Sequence, residues 1–208
     1  MRTLLILLTL LALPASAVTV DRVAAVVDRQ VLTVSEISQM VEIRFFGRTQ
    51  TSDDEHRRDI LEALITQALR QRDVERFGAQ DIPRDTIDAR LLEIQGRFSS
   101  EEEFLAALQR AELTLEEVQT LVKRQLQVEA YIQERFAPLV FLSGEEIEEY
   151  YRTTWTRQRR DRGLAVPPLA QVREEIRLAL RASRLQGEVE RWTTQLRTRA
   201  TVDVYAWR

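Results

Sequence analysis

The chain has 208 residues, a formal net charge of −3, 44% hydrophobic and 30% charged residues, and no cysteine. Without cysteine there is no disulfide framework, no thiolate zinc site, no thiol nucleophile and no lipid carried on an N-terminal cysteine. The single histidine, His56, excludes a two-histidine metal site, and the net negative charge is a poor match for nucleic acid.

Met1 to Ala17 reads as a secretory signal peptide. Arg2 supplies a positive start, Leu4 to Leu13 a short apolar run, Pro14 a break, and Ala15-Ser16-Ala17 a small-x-small cleavage site. The apolar run is too short to favour an uncleaved membrane anchor. Cleavage after Ala17 leaves an exported chain from Val18, with no later run apolar enough to span a membrane. Six glycines and five prolines are too few for a linker-rich chain, so residues 18–208 are expected to form one domain.

Val20 to Val27 and Val31-Leu32, separated by Asp28-Arg29-Gln30, predict a hairpin with Val23, Ala25 and Val27 on one face. Thr33-Val34-Ser35-Glu36 is a capping box, and the helix it opens is expected to reach Phe46 and stop at Gly47. After a polar loop, Asp53, Asp54 and Glu55 start a helix whose Ile60, Leu61, Leu64, Ile65, Ala68 and Leu69 share one face, with Gly78 as its stop.

Pro83 suits the first turn of the next helix, whose face is expected at Ile87, Leu91, Leu92 and Phe98. Ser99-Ser100 and three glutamates open another, with Phe104, Leu105 and Leu108 as its face. Thr114-Leu115-Glu116-Glu117 caps a long helix to about Phe136, and Pro138 ends it. Ser143-Gly144-Glu145-Glu146 caps a helix through Tyr150 and Tyr151.

Arg157 to Gly163 reads as a polar loop. Pro167-Pro168 then introduces a long final helix with apolar positions from Val172 to Leu196. Thr201 to Trp207 alternates as a strand, and its only available partners are the N-terminal strands. The expected fold is therefore mainly α, with a small antiparallel sheet formed by the N-terminal hairpin and the C-terminal strand. Swapping of the terminal strands between two chains would give a dimer.

Chemistry-bearing residues are sparse. His56 sits in an acidic helix start and reads as a surface residue. The glutamates at 101–103 and 145–149 lie at helix N-termini, where the dipole favours them, and are not read as catalytic pairs. There is no phosphate loop, metalloprotease motif or nucleophile elbow, and neither a metal, a cofactor nor a catalytic residue is expected. The chain uses arginine almost to the exclusion of lysine. Arg157, Arg159, Arg160 and Arg162 form a solvated loop or a contact for an anionic partner. Phe45, Phe46, Tyr150, Tyr151 and Trp155 are candidate residues of a groove for extended apolar peptides, or else pack between helices.

Four phrases carry a family resemblance: VDRVAAVVDRQVLTVSEI (20–37), RRDILEALITQALRQRDVERFG (57–78), VFLSGEEIEEYY (140–151) and the stretch from PPLAQVREEIRLAL to RWTTQLRTRATVDV (167–204). In this order behind a signal peptide they resemble the core of the SurA-type periplasmic chaperones and related parvulin isomerases. In that family one or two parvulin domains, each on the order of 100 residues, usually separate the third phrase from the fourth. Here only Arg152 to Val166 remains, a short bypass, and the histidine pair of a parvulin site is missing.

The resemblance therefore implies a chaperone core without prolyl isomerase activity. It implies an ATP-independent periplasmic holdase for unfolded, aromatic-rich polypeptides, outer-membrane proteins in transit above all. A non-catalytic structural or adaptor subunit of an envelope assembly, with one dedicated protein partner, is the alternative.

Overall fold

The computed structural model describes residues 21–47 and 51–205. The expected signal peptide lies outside the described residues, as do Val20 and Trp207 of the expected strands. Strands β1 (Val23–Val27) and β2 (Gln30–Thr33) form the hairpin. Helices α1 (Val34–Glu42), α2 (Asp53–Phe77), α3 (Arg84–Gln95), α4 (Glu101–Arg110) and α5 (Leu115–Arg135) follow. A 3₁₀ turn (Ala137–Leu139) leads to α6 (Gly144–Tyr150), a π-helical segment (Tyr151–Trp155) and α7 (Thr156–Asp161). Helix α8 (Leu169–Arg199) and strand β3 (Val202–Val204) come last. The fold is mainly α with one three-stranded antiparallel sheet in the order β2-β1-β3.

The sheet joins the two ends of the described chain, as the strand patterns require. β1 pairs with β3 through Ala25–Val204, Val26–Asp203 and Val27–Val202. Asp28, in the hairpin turn, adopts a left-handed φ of 55°, a conformation its short polar side chain tolerates. Its amide donates to the Thr201 carbonyl at 2.8 Å, and its carboxylate accepts from the Thr201 amide at 2.9 Å. The expected alternation fails at one point. The register shifts between Val23 and Ala25, so Ala24 and Ala25 are both buried and Val23 is exposed. An extra residue in one strand turns the side chains that precede it by half a period.

Helix starts follow the sequence. Thr33, Thr114 and Ser143 each accept from the amide three residues on, and Glu36, Glu117 and Glu146 reach back to the cap amides. Each box satisfies two amides that the first turn leaves open. Helix ends depart from it. α1 stops at Glu42, four residues before Phe46, because Arg44 takes a left-handed φ of 51°. The Phe45 amide donates to the Met40 carbonyl and the Arg44 amide to Val41, a Schellman closure without glycine. Glu112 closes α4 in the same way, with φ 52°.

Two predicted faces also shift by one residue. Leu92 is 65% exposed while Leu91, Ile94 and Phe98 are buried, and Leu105 is 46% exposed while Phe104, Ala107 and Leu108 are buried. A neighbour one position away points about 100° off the buried stripe.

The arginine-rich stretch is not a loop. α6 continues through the π-helical segment into α7, so Arg157, Arg159 and Arg160 are helical and Gly163, at φ 66°, ends the run. Arginines at a helix C-terminus complement its negative end, which favours helix over loop here.

The main core lies between the sheet and α1 to α5, with Phe104, Ile37, Ile65 and Val118 fully buried. A second cluster, Val74, Val128, Tyr131, Phe136 and Trp192, docks the C-terminal half of α8. A third, Ile147, Trp155, Val172 and Ile176, packs α6 and the π-helical segment on its N-terminal half. Among the described residues no helix is long and apolar enough to cross a membrane.

The caps make the fold acid-sensitive. The Thr114 amide and hydroxyl hold the Glu117 carboxyl below the usual carboxylate range. Glu146 is held down by the Arg184 guanidinium and then by the Ser143 amide. A carboxyl with a lowered folded pKa stabilises the fold above its unfolded value, about 4.3 for glutamate, and that stabilisation disappears as pH falls through the folded value. Melting temperature should therefore hold level at neutral pH and decline below about pH 4.5. Glu117→Gln with Glu146→Gln should flatten that decline. An unaltered acid limb in the double variant would remove these caps as its cause.

Candidate functional site

An open cleft of about 760 Å³ lies between the hairpin turn, α1, the turn after α1, α2 and α5. Met40, Phe45, Phe46, Leu64 and Leu121 give it apolar walls. Arg29, Arg72 and Arg124 alternate with Asp28, Glu36 and Glu75 among its lining residues, so neither sign of charge dominates. The mixed apolar and charge-balanced lining suits a segment of polypeptide better than a compact charged metabolite.

The turn carrying Phe45 and Phe46 is held in place from both sides. Arg44 donates to the Arg97 carbonyl and to Glu103 at 2.8 Å, and its guanidinium lies 4.2 Å from the Phe98 ring centre. Arg97 donates back to the Phe45 carbonyl at 2.6 Å. The Ser99 amide, with Arg44, keeps Glu103 below the usual carboxylate range and so charged toward Arg44. Phe45 and Phe46 meet edge to face, 5.1 Å between ring centres. Phe45 is only 6% exposed and belongs to the main core; Phe46 is half-buried against it.

Gln67 and Gln71 stand one helical turn apart on α2 and line the same cleft. Gln67 Nε2 and Gln71 Oε1 are shielded from solvent and have no hydrogen-bond partner. Gln71 Nε2 donates to Glu75 at 3.1 Å and Gln127 at 3.4 Å, which fixes its oxygen as the unpaired end. A buried polar atom without a partner costs about 1–3 kcal/mol, so each amide favours an occupant that pairs it. The terminal torsion of glutamine is broad, which lets the Gln67 amide turn toward such an occupant, while Glu75 and Gln127 hold the Gln71 amide with its oxygen free. Residues four apart on a helix rise about 6 Å, close to the roughly 6.7 Å between groups on one edge of an extended chain. One free donor and one free acceptor on successive turns are complementary in kind to the carbonyl and amide of a peptide backbone.

The other aromatic candidates lie elsewhere. Tyr150 and Tyr151 are half-buried around the third cluster, and Trp155 is 9% exposed within it. Tyr151 stacks on Trp155 at 5.6 Å and donates to the Pro167 carbonyl at 2.9 Å. Arg159 covers the other ring, 4.9 Å from its centre. These contacts join the α6–α7 arm to the entry of α8, and none of the three residues lines the cleft.

The sequence reading overlooked Gln67 and Gln71. The available signal was two glutamines at i and i+4 beside the apolar positions Leu64 and Ala68. His56 lies in the first turn of α2, away from the cleft lining. Among the described residues no group of histidine, aspartate and glutamate could hold a metal ion. No protein family matches the chain, and no curated protein sequence matches it.

Proposed function

We propose that this protein is an ATP-independent holdase that takes extended segments of unfolded polypeptides into the α1–α2–α5 cleft. The observation that carries the reading is the unpaired Gln67 Nε2 and Gln71 Oε1 beside Phe45, Phe46 and Leu64. Backbone groups are common to every sequence, so pairing them gives affinity without selecting a client. The aromatic walls add apolar contact wherever the client supplies it. Ordering a disordered client costs several kcal/mol, so binding is weak and release needs no nucleotide.

The resemblance to the SurA-type chaperone core supports the same reading and adds its setting. The clients are outer-membrane or secreted proteins in transit, the compartment is the periplasm, and residues 1–17 are the export signal. No prolyl isomerisation is assigned, since the chain between Arg152 and Val166 is too short for the catalytic domain of that family.

The test is dilution of a urea-unfolded outer-membrane β-barrel protein, with and without this protein, followed by light scattering. Suppression of aggregation at near-stoichiometric ratio without nucleotide is expected. Absence of suppression by the folded protein would overturn the holdase reading and favour an adaptor with one dedicated partner, to be sought by pull-down from envelope extracts.

A further inference from the structure

A second cleft, of about 340 Å³, lies between α2 and the C-terminal end of α8. Arg72, Arg76 and Arg199 line it over an apolar floor of Leu69, Leu196 and Ala200. Its one carboxylate, Asp73, is already engaged, accepting from the Trp192 indole at 2.9 Å. Arg72 pairs with Asp28 of the hairpin turn. Among the described residues Arg76 and Arg199 have no carboxylate partner, although most arginines of α8 do: Arg173, Arg177, Arg184, Arg191 and Arg197 are each paired with a glutamate. Two guanidinium groups without a carboxylate partner, one of them resting 5.8 Å from the Phe77 ring centre, form a positive site in a chain whose net charge is negative.

Arg72 lines both clefts, so the two are adjacent along α2. We infer that the arginine cleft is a carboxylate subsite of the polypeptide-binding surface, in which Arg76 and Arg199 receive an acidic group of the chain held in the first cleft. The inference rests on the holdase reading. Guanidinium forks suit a planar carboxylate, and the leucine and alanine floor accommodates the aliphatic stem that carries it. The surface then prefers extended segments that combine aromatic residues with a nearby acid over neutral segments of the same length.

The test uses fluorescence anisotropy with three labelled peptides of one aromatic-rich extended sequence. The first is neutral with an amidated end, the second carries one glutamate in place of glutamine, and the third is neutral with a free C-terminal carboxylate. The glutamate peptide should bind about fivefold more tightly than the neutral one at low salt, the advantage shrinking as salt is raised. Arg76→Gln with Arg199→Gln should abolish that advantage while leaving the neutral peptide's affinity unchanged, with a melting temperature lowered by only the small loss of two helix-end charges. Arg160→Gln, on α7, should leave the preference intact. A tighter third peptide would place a chain-end carboxylate in the same subsite.

Equal binding of all three peptides to the unaltered protein would overturn the inference and leave the holdase reading standing. So would a glutamate preference that survives the double variant. If no peptide binds, the reading of the first cleft falls and the subsite falls with it.

Discussion

Trp192→Ala should lower the unfolding free energy by about 3–5 kcal/mol, the usual cost of deleting a large buried aromatic side chain. Trp192 is 8% exposed, and its ring lies 5.5 Å from Tyr131 and 5.2 Å from Phe136. Its indole nitrogen donates to Asp73 at 2.9 Å. Helix α8 spans about 46 Å, yet most of its outward face is charged and solvated, so its hold on α2 and α5 is concentrated at this cluster. The flanking contacts, Arg70 to Thr193 and Arg197 to Glu62, are polar, and the second is largely exposed. Such contacts contribute little without the aromatic anchor.

Losing the anchor reaches further than α8. β3 follows the helix directly and pairs with β1, and the Asp28–Thr201 hydrogen bonds tie that strand to the hairpin turn. Urea unfolding followed by circular dichroism measures the total cost. Trp192→Phe separates the parts: it keeps most of the apolar contact and leaves Asp73 without its donor, for about 1–3 kcal/mol. Equal losses for the alanine and phenylalanine variants would assign the stability to the hydrogen bond and not to packing.

Where the sequence was readable, the physics was local. Thr33, Thr114 and Ser143 each stand three residues before a glutamate, and all three are helix caps in the fold. The alternation of Val202 and Val204 required a partner strand, and only β1 and β2 were on offer. Where it was not readable, distant contacts decided. Nothing near Arg44 announces a helix end. Its left-handed conformation costs about 1–2 kcal/mol, and what offsets this are contacts with Arg97, Phe98 and Glu103, more than fifty residues away. The loop expected at 157–163 became helix because the π-helical segment carries α6 onward and turns Trp155 onto α8.

The candidate site divides along the same line. Aromatic pairs are conspicuous in a sequence, and of those singled out Phe45 and Phe46 do line the cleft. Tyr150, Tyr151 and Trp155 join the α6–α7 arm to α8 instead. A glutamine inside a helical pattern reads as a solvated residue, and only the packing of α1 and α5 around α2 reveals Gln67 and Gln71 as unpaired.

Those two glutamines give the second large effect, and stability and binding should move in opposite directions. Gln67→Leu with Gln71→Leu removes two shielded polar atoms that the fold leaves unpaired, which should raise the unfolding free energy by about 1–3 kcal/mol. The bonds lost from Gln71 to Glu75 and Gln127 are partly exposed and subtract little from this gain. Binding should weaken, because the client backbone loses a donor and an acceptor. At about 0.5–1.5 kcal/mol for each hydrogen bond, affinity for an unfolded polypeptide should fall roughly tenfold. A residue kept against the interest of stability is what a binding surface requires. Phe46→Ala supplies the contrast: it removes apolar wall, leaves both amides in place, and should cost affinity without the gain in melting temperature. A stabilised leucine variant that still suppresses aggregation as well as the unaltered protein would show that apolar contact alone holds the client. A variant that loses both stability and binding would mean that the two amides are paired in solution and serve the fold.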